Sequence, residues 1–232
     1  FKNKVVNYSL NAAFILYIAD FFIMPLAYGE IVIDKLPFHL CTSMSILCFL
    51  SRNTKKLAKF KNSFTLLGMI GALMYLVYPA GVTNGPGQYF DGYTYRIIQT
   101  VLYHGLMVAQ GVFAIALGYV VLIWDSFKYD VIIILFVAVW AMFGNFAYNG
   151  VVSEQCDCVE GCQEMIDVYS EEHNWFFVLH DPLYIFPDET DGYYSPLIMI
   201  GAITGMCALI RFLSDELLIL FQVKKRNKES HK

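Results

Sequence analysis

Residues 5–29, 62–82, 95–123, 128–150 and 195–221 form five long apolar blocks, and these blocks constrain the fold more than any other feature. Each is long enough to cross about 30 Å of hydrocarbon at a helical rise of about 1.5 Å per residue. A sixth block, 31–50, is weaker because Asp34, Lys35 and Pro37 interrupt its start. A helix beginning near Leu36 is a little short, and would tilt less or thin the bilayer. Composition agrees with this grouping: 57% of the residues are hydrophobic and 16% charged, against roughly 25% charged in a soluble domain. The expected fold is all-α, a polytopic membrane bundle of six transmembrane helices. A single domain over 1–232 carries one loop insertion at 151–194, since no long polar linker divides the helices. The first block is too long for a signal peptide and lacks a small-residue cleavage signature, so it is read as a retained helix. The sequence opens at Phe1 without a methionine. A seventh helix upstream would turn the true N-terminus outward and leave these segments unchanged.

Charge placement orients the bundle. Lys2 and Lys4 precede the first block, and Arg52, Lys55, Lys56, Lys59 and Lys61 follow the second. Lys128 lies between the fourth and fifth of the six, and Lys224, Lys225, Arg226, Lys228 and Lys232 form the tail. Threading six helices in order puts all of these on one side. The other side receives 30–35, 83–94 and 151–194, the last with eleven acidic residues and no Lys or Arg. The positive-inside rule then predicts a multi-pass cell-membrane protein whose two ends are cytoplasmic and whose 151–194 loop is extracytoplasmic.

Between the blocks, "YPAGVTNGPG" stops one helix and makes an outer loop. The tight "WDSFK" at 124–128 predicts that the helices on either side pack as an antiparallel hairpin. No repeat of helical length supports a repeat-built transporter. Within 151–194, "NWFFVLHDPLYIFP" is too short to span and rich in interfacial aromatics, so it reads as a lid over the outer end of the bundle. Cys156, Cys158 and Cys162 share that loop. One disulfide among them would leave one thiol over, and their spacing with His173 matches no strong zinc pattern. No metal and no cofactor is expected. Cys48 and Cys207 read as small buried residues.

Ionisable side chains are costly in lipid and tend to face the bundle interior or a watery cavity. They are few here: Asp20, His39, Cys41, His104 and Arg211, with amides at Gln99, Gln110, Asn145 and Asn149. On the threading above, His39 and Cys41 lie within the first two turns of their helix, and His104 about 13 Å down the helix that starts near Tyr95. Arg96 and Gln99 sit at the mouth of that helix, Asn145 and Asn149 at the outer end of the next. The polar groups thus gather in the outer half of the membrane. A buried thiol is inert until a neighbouring imidazole takes its proton. His39 and Cys41, two apart on a helix, point about 200° apart, so the base for Cys41 must come from another helix, and His104 can supply it. His39 would face elsewhere. The plain alternatives are that Cys41 packs and that His104 bonds a carbonyl of a neighbouring helix. Asp20 reads first as a packing residue and second as a proton site. Arg211 reads as an i,i+4 pair with Asp215, and the basic tail as an anchor to anionic lipid.

"LPFHLC" at 36–41, the Gly-rich "LLGMIGALMYLVYPAG" and then "YHGLMVAQG" together resemble the bacterial YwaF-like integral membrane proteins and their eukaryotic relatives, the transmembrane protein 164 acyltransferases. The resemblance covers about residues 5–150 and, more loosely, the last helix. It implies transfer of fatty acyl chains onto ether phospholipids through a cysteine acyl-enzyme, with Cys41 as nucleophile and His104 as its partner. It gives His39 no role, and the acidic insertion at 151–194 is longer than a minimal member of that group needs. A more distant similarity links them to androgen-induced-protein hydrolases, which use a membrane Thr and His.

The function expected is an integral membrane lipid acyltransferase or ester hydrolase, independent of coenzyme A, since nothing resembles a nucleotide loop or a coenzyme-A site. Cys41 and His104 are the catalytic candidates, and His39, Arg96, Gln99, Asn145 and Asn149 the substrate-binding ones. Membrane phospholipids are the expected partners, and nucleic acid is not. The rival reading is a non-enzymatic membrane protein that binds or carries a small solute or proton. The oligomeric state is not set by these features.

Overall fold

The computed structural model describes residues 2–29, 35–77, 93–156 and 196–216, and the regular elements among them are all helical. Helix α1 (Lys2–Ile23) continues into a π-helical turn, Met24–Tyr28. Pro25 has no N–H to donate to the preceding turn, and the wider π turn absorbs the break. Next come α2 (Leu40–Asn53), the one-turn α3 (Lys55–Ala58), α4 (Lys61–Val77), α5 (Tyr93–Ala116), α6 (Phe127–Cys156) and α7 (Pro196–Glu216). Four segments, Lys4–Tyr28, Thr94–Ala116, Trp124–Tyr148 and Pro196–Glu216, are long and apolar enough to cross a membrane. Helices α2 and α4 are shorter. Their short length suits their place, because both are wrapped by the long helices.

Helix α4 is the hub. It packs against α2 on one side and α5 on another, α1 covers α5 and α2, and α6 lies against α4 and touches α2. Small residues allow this closeness: a Cβ at Gly68 of α4 would lie 3.1 Å from Met107 of α5 and 3.2 Å from Met44 of α2. The core where these helices meet includes Met44, Leu66, Leu67, Ile70 and Tyr103. The outside is greasy: Ile15, Leu26, Phe136, Val139 and Leu197 are all more than half exposed. A soluble protein rarely exposes apolar surface on this scale; lipid covers it without cost.

Several expectations change. Helix α5 stops at Ala116, short of 123. Gly118 adopts φ 71°, and the N–H groups of Tyr119 and Val120 turn back to the Ala114 carbonyl at 2.8 and 3.0 Å, a left-handed glycine stop. Residues 119–123 then run as irregular chain, with Val120 and Leu122 buried, into a 3-10 turn at Trp124–Ser126. With so long a connection, α5 and α6 do not form the expected hairpin; α6 packs on α4 and α2 instead. Helix α2 starts at Leu40, not near Leu36. Helix α6 runs on to Cys156, into the start of the expected loop. The lid, Cys158, Cys162 and His173 lie outside the described residues.

Arg211 does not pair with Asp215. Its guanidinium forks onto Asp130 of α6, with Nη2 at 2.7 Å from Oδ1 and Nε on Oδ2, and donates to the Ile123 carbonyl at 3.0 Å and the Ser63 hydroxyl at 3.3 Å. Both ions are fully buried, so a planar bidentate partner outcompetes an exposed i,i+4 neighbour. Asp215 accepts instead from the Trp124 backbone N–H at 2.9 Å.

Candidate functional site

The chain from Lys35 to His39 stays outside helix α2, and His39 caps the helix with extended backbone, φ −79° and ψ 153°. Cys41 therefore sits in the first turn of α2. The 200° separation expected of two helical positions does not apply, because His39 is not on the helix. It lies within electrostatic reach of His104.

An irregular segment among apolar helices needs partners for its carbonyls, and here they are supplied from every side. Tyr17 of α1 donates to the Lys35 carbonyl at 2.9 Å. The Thr42 hydroxyl is shared between the Leu36 and His39 carbonyls, at 3.3 and 3.0 Å. Ser43 and the Trp140 indole N–H of α6 both donate to the Pro37 carbonyl, at 2.7 and 2.8 Å. Tyr103 of α5 donates to the Cys41 carbonyl at 3.2 Å. Short hydroxyl side chains one turn into α2 thus reach back and hold the chain that leads into it.

Packing closes the remaining sides. A Cβ at Gly71 of α4 would lie 3.3 Å from the Leu40 side chain and 3.5 Å from the Cys41 backbone nitrogen, so α4 passes directly beside the thiol-bearing turn. A Cβ at Gly144 of α6 would lie 2.5 Å from the Phe38 ring, which also packs on Trp140 at 5.1 Å between centroids.

His104 stands on α5 one residue after Tyr103. Its Nδ1 lies 2.8 Å from the Thr100 carbonyl. A carbonyl only accepts, so this contact fixes the proton on Nδ1 and leaves Nε2 as an acceptor. Nε2 is buried and has no hydrogen-bond partner. Tyr75 of α4 stacks on the ring at 4.0 Å, and Tyr103 meets it edge-on at 4.9 Å. Cys41 and His104 are thus brought to one end of the bundle and joined through Tyr103, which touches both.

The other candidates divide. Gln99 has both ends of its amide committed: Oε1 accepts from Lys35, and Nε2 donates to the Leu16 carbonyl of α1 at 3.3 Å. Arg96 is half-buried and Asn145 fully buried, while the side chain of Asn149 lies outside what is described. Cys48 and Cys207 are buried, as expected, and the Cys48 thiol lies among Gln110 and Thr65. Among the described residues no three His, Cys, Asp or Glu side chains converge as metal ligands.

Lys35, read from sequence only as an interruption, proves central. Its ammonium is buried and lies 3.2 Å from Asp20 Oδ2 and 3.1 Å from the Thr100 hydroxyl, with the Gln99 amide oxygen as third partner. Asp20 is therefore half of an ion pair, not a lone packing residue. The signal was available: Lys35, Arg96 and Arg211 are the basic residues left over when the positive side is counted, and an apolar bundle must pair such charges. The Tyr95 hydroxyl lies beside the Asp20 carboxylate, within reach of its second oxygen.

A family model, described as the TMEM164 family, matches residues 2–214. The chain belongs to the TMEM164 family. That membership agrees with its apolar helices, and the chain is a membrane protein of this family. Among curated proteins and among solved structures, nothing matches it.

Proposed function

We propose that this TMEM164 family member is a lipid acyltransferase or ester hydrolase with Cys41 as nucleophile and His104 as base. The observation that carries the reading is the buried Nε2 of His104, an acceptor without a partner, on the helix whose Tyr103 holds the Cys41 carbonyl. In this reading Nε2 takes the Cys41 proton, and the thiolate attacks the carbonyl carbon of a lipid ester. Collapse of the tetrahedral intermediate breaks the ester C–O bond, and the leaving alkoxide takes the proton back from His104. A lipid hydroxyl or water, deprotonated by the same nitrogen, then attacks the thioester and releases the thiol. Arg96, Asn145 and Asn149 are the groups proposed to meet the headgroup or the developing oxyanion.

The same reading takes α2 and α4 as membrane passes, for six in all, with the site in the outer half and the 151–194 loop over it. The asymmetric distribution of Lys and Arg supports that orientation and a cell-membrane location. At that level an ester at the headgroup–acyl boundary can reach the site sideways from lipid. A lipid-like fluorophosphonate or activated ester tests the chemistry: labelling at Cys41 should be strong in the wild type and lost in His104→Ala. Equal labelling in both proteins contradicts the dyad.

The buried Asp20–Lys35 pair, with the Tyr95 hydroxyl beside its carboxylate, favours a second reading. There the cluster holds a small solute or proton, and Cys41→Ala and His104→Ala leave function intact.

A further inference from the structure

Lys35 is held in a way that suits an anchor better than a ligand-binding group. An ammonium has three N–H donors, and all three directions are taken by Asp20 of α1 and by Gln99 and Thr100 of α5. Nothing is left over for a substrate. Gln99 and Thr100 lie about one turn before His104 on the same helix, and Thr100 is also the residue whose carbonyl receives His104 Nδ1. At the far end of the segment, Tyr103 of α5 holds the Cys41 carbonyl. Helix α5 thus grips the segment at residues 35 and 41, on either side of the turn that presents the thiol. The two tyrosines that hold the carbonyls of Lys35 and Cys41, Tyr17 and Tyr103, stack on each other at 5.9 Å and tie the two grips together.

We infer that Lys35, braced by Asp20, is a positioning residue that sets the register of the Cys41-bearing segment against the His104-bearing helix. The inference rests on the acyl-enzyme reading above for its catalytic consequence, but its geometric content stands apart. Burying an ion pair in an apolar bundle costs desolvation that apolar residues of similar volume avoid. One attested use for such a pair is to specify register, which hydrophobic packing alone leaves free to slip. Here the register at stake is that of the largely irregular segment leading into α2 against a helix. A shift of about 1 Å between nucleophile and base costs on the order of a hundredfold in rate.

The test compares Lys35→Arg, Lys35→Met and the double variant Asp20→Leu/Lys35→Met in the full chain. The double variant replaces the pair by apolar side chains and preserves the fold where the single change leaves Asp20 buried and unpaired. Two readouts are taken. One is the rate of acyl-adduct formation on Cys41 at saturating phosphatidylcholine and phosphatidylethanolamine in nanodiscs, with half-saturating lipid measured beside it. The other is the nitrogen-15 spectrum of histidine-labelled protein, with the His104 signals assigned by their loss in His104→Ala. The register role predicts that Lys35→Met and the double variant slow adduct formation at least tenfold, leave half-saturating lipid unchanged and shift the His104 signals, while Lys35→Arg stays within a few-fold of wild type. A folded double variant with wild-type adduct rate and wild-type His104 signals overturns it. If the wild type forms no adduct, the acyl-enzyme reading fails alone, and the His104 signals still decide whether Lys35 sets the register.

Discussion

Two buried ion pairs lie at opposite ends of this bundle, and they are satisfied to different degrees. Arg211 and Asp130 meet through two hydrogen bonds, and the rest of the guanidinium is taken up by Ile123 and Ser63. Asp20 and Lys35 meet through a single contact, and the other carboxylate oxygen lies beside the Tyr95 hydroxyl. A closed set of bonds fixes three helices and the chain leading into one of them. This second pair sits next to His104, whose Nε2 has no hydrogen-bond partner. Buried polar groups in folded proteins are almost always paired. Unpartnered buried atoms occur at both ends, Asn62 Oδ1 beside Ser63 among them, so what sets the His104 end apart is an imidazole acceptor on the helix that holds the Cys41 carbonyl.

The comparison predicts that substitutions at the two ends act on different observables. The largest effect expected is at His104: His104→Phe should lower Cys41 acylation by about 10²–10⁴ while shifting thermal unfolding little, because it keeps a ring between Tyr75 and Tyr103 and gives up one carbonyl contact. Acylation kinetics and a melting curve in detergent on the same preparation check this, and a large drop in stability would mean that the imidazole is a structural pillar. Next is Arg211→Ala, which strands Asp130 and should destabilise the bundle by about 3–5 kcal/mol. The double change Arg211→Met/Asp130→Leu should recover most of that loss and leave adduct formation unaltered. A double variant that folds but is inactive would erase the distinction between the two ends.

Smaller effects probe how the segment is held. Gly144→Val pushes a side chain into the Phe38 ring, where even a Cβ would lie at 2.5 Å, and overpacking of this kind costs about 1–3 kcal/mol. It should also slow acylation, because Phe38 lies in the chain that places Cys41. Trp140→Phe keeps the ring and loses the indole bond to Pro37, a change of about 1 kcal/mol. If neither substitution alters the Cys41 rate, residues 35–39 are held by their own hydroxyl contacts and α6 merely covers them.

The lengths of the apolar blocks were enough to read the all-helical membrane class and the four long helices, since bilayer thickness sets that signal directly. The positions of Cys41 and His104 at one end could be read in the same way, by counting residues along alternating helices. What could not be read is whatever depends on where a helix starts within an apolar run. Pro37 marks a boundary, but the choice between Leu36 and Leu40 is made by Thr42 and Ser43 bonding backwards, and that choice puts His39 at the cap of the helix instead of on it. Partner identity failed for a related reason. Arg211 has an acid four residues on, and local spacing favoured it; Asp130, far away in sequence, wins because it is buried with the guanidinium. Lys35 was discounted because a charge at the start of an apolar block looks like an end, although the missing partner of Asp20 had to come from somewhere.

The central claim is that Cys41 carries an acyl group in turn. Intact-mass spectrometry of the purified protein after incubation with mixed phospholipids, for wild type and Cys41→Ser, tests it most directly. The account predicts a hydroxylamine-labile adduct on the wild type that maps to Cys41 and is absent from the variant, its mass naming the chain. A folded, lipid-embedded wild type that gains no such adduct contradicts the account and leaves the Asp20–Lys35 cluster, as a solute or proton site, the better reading.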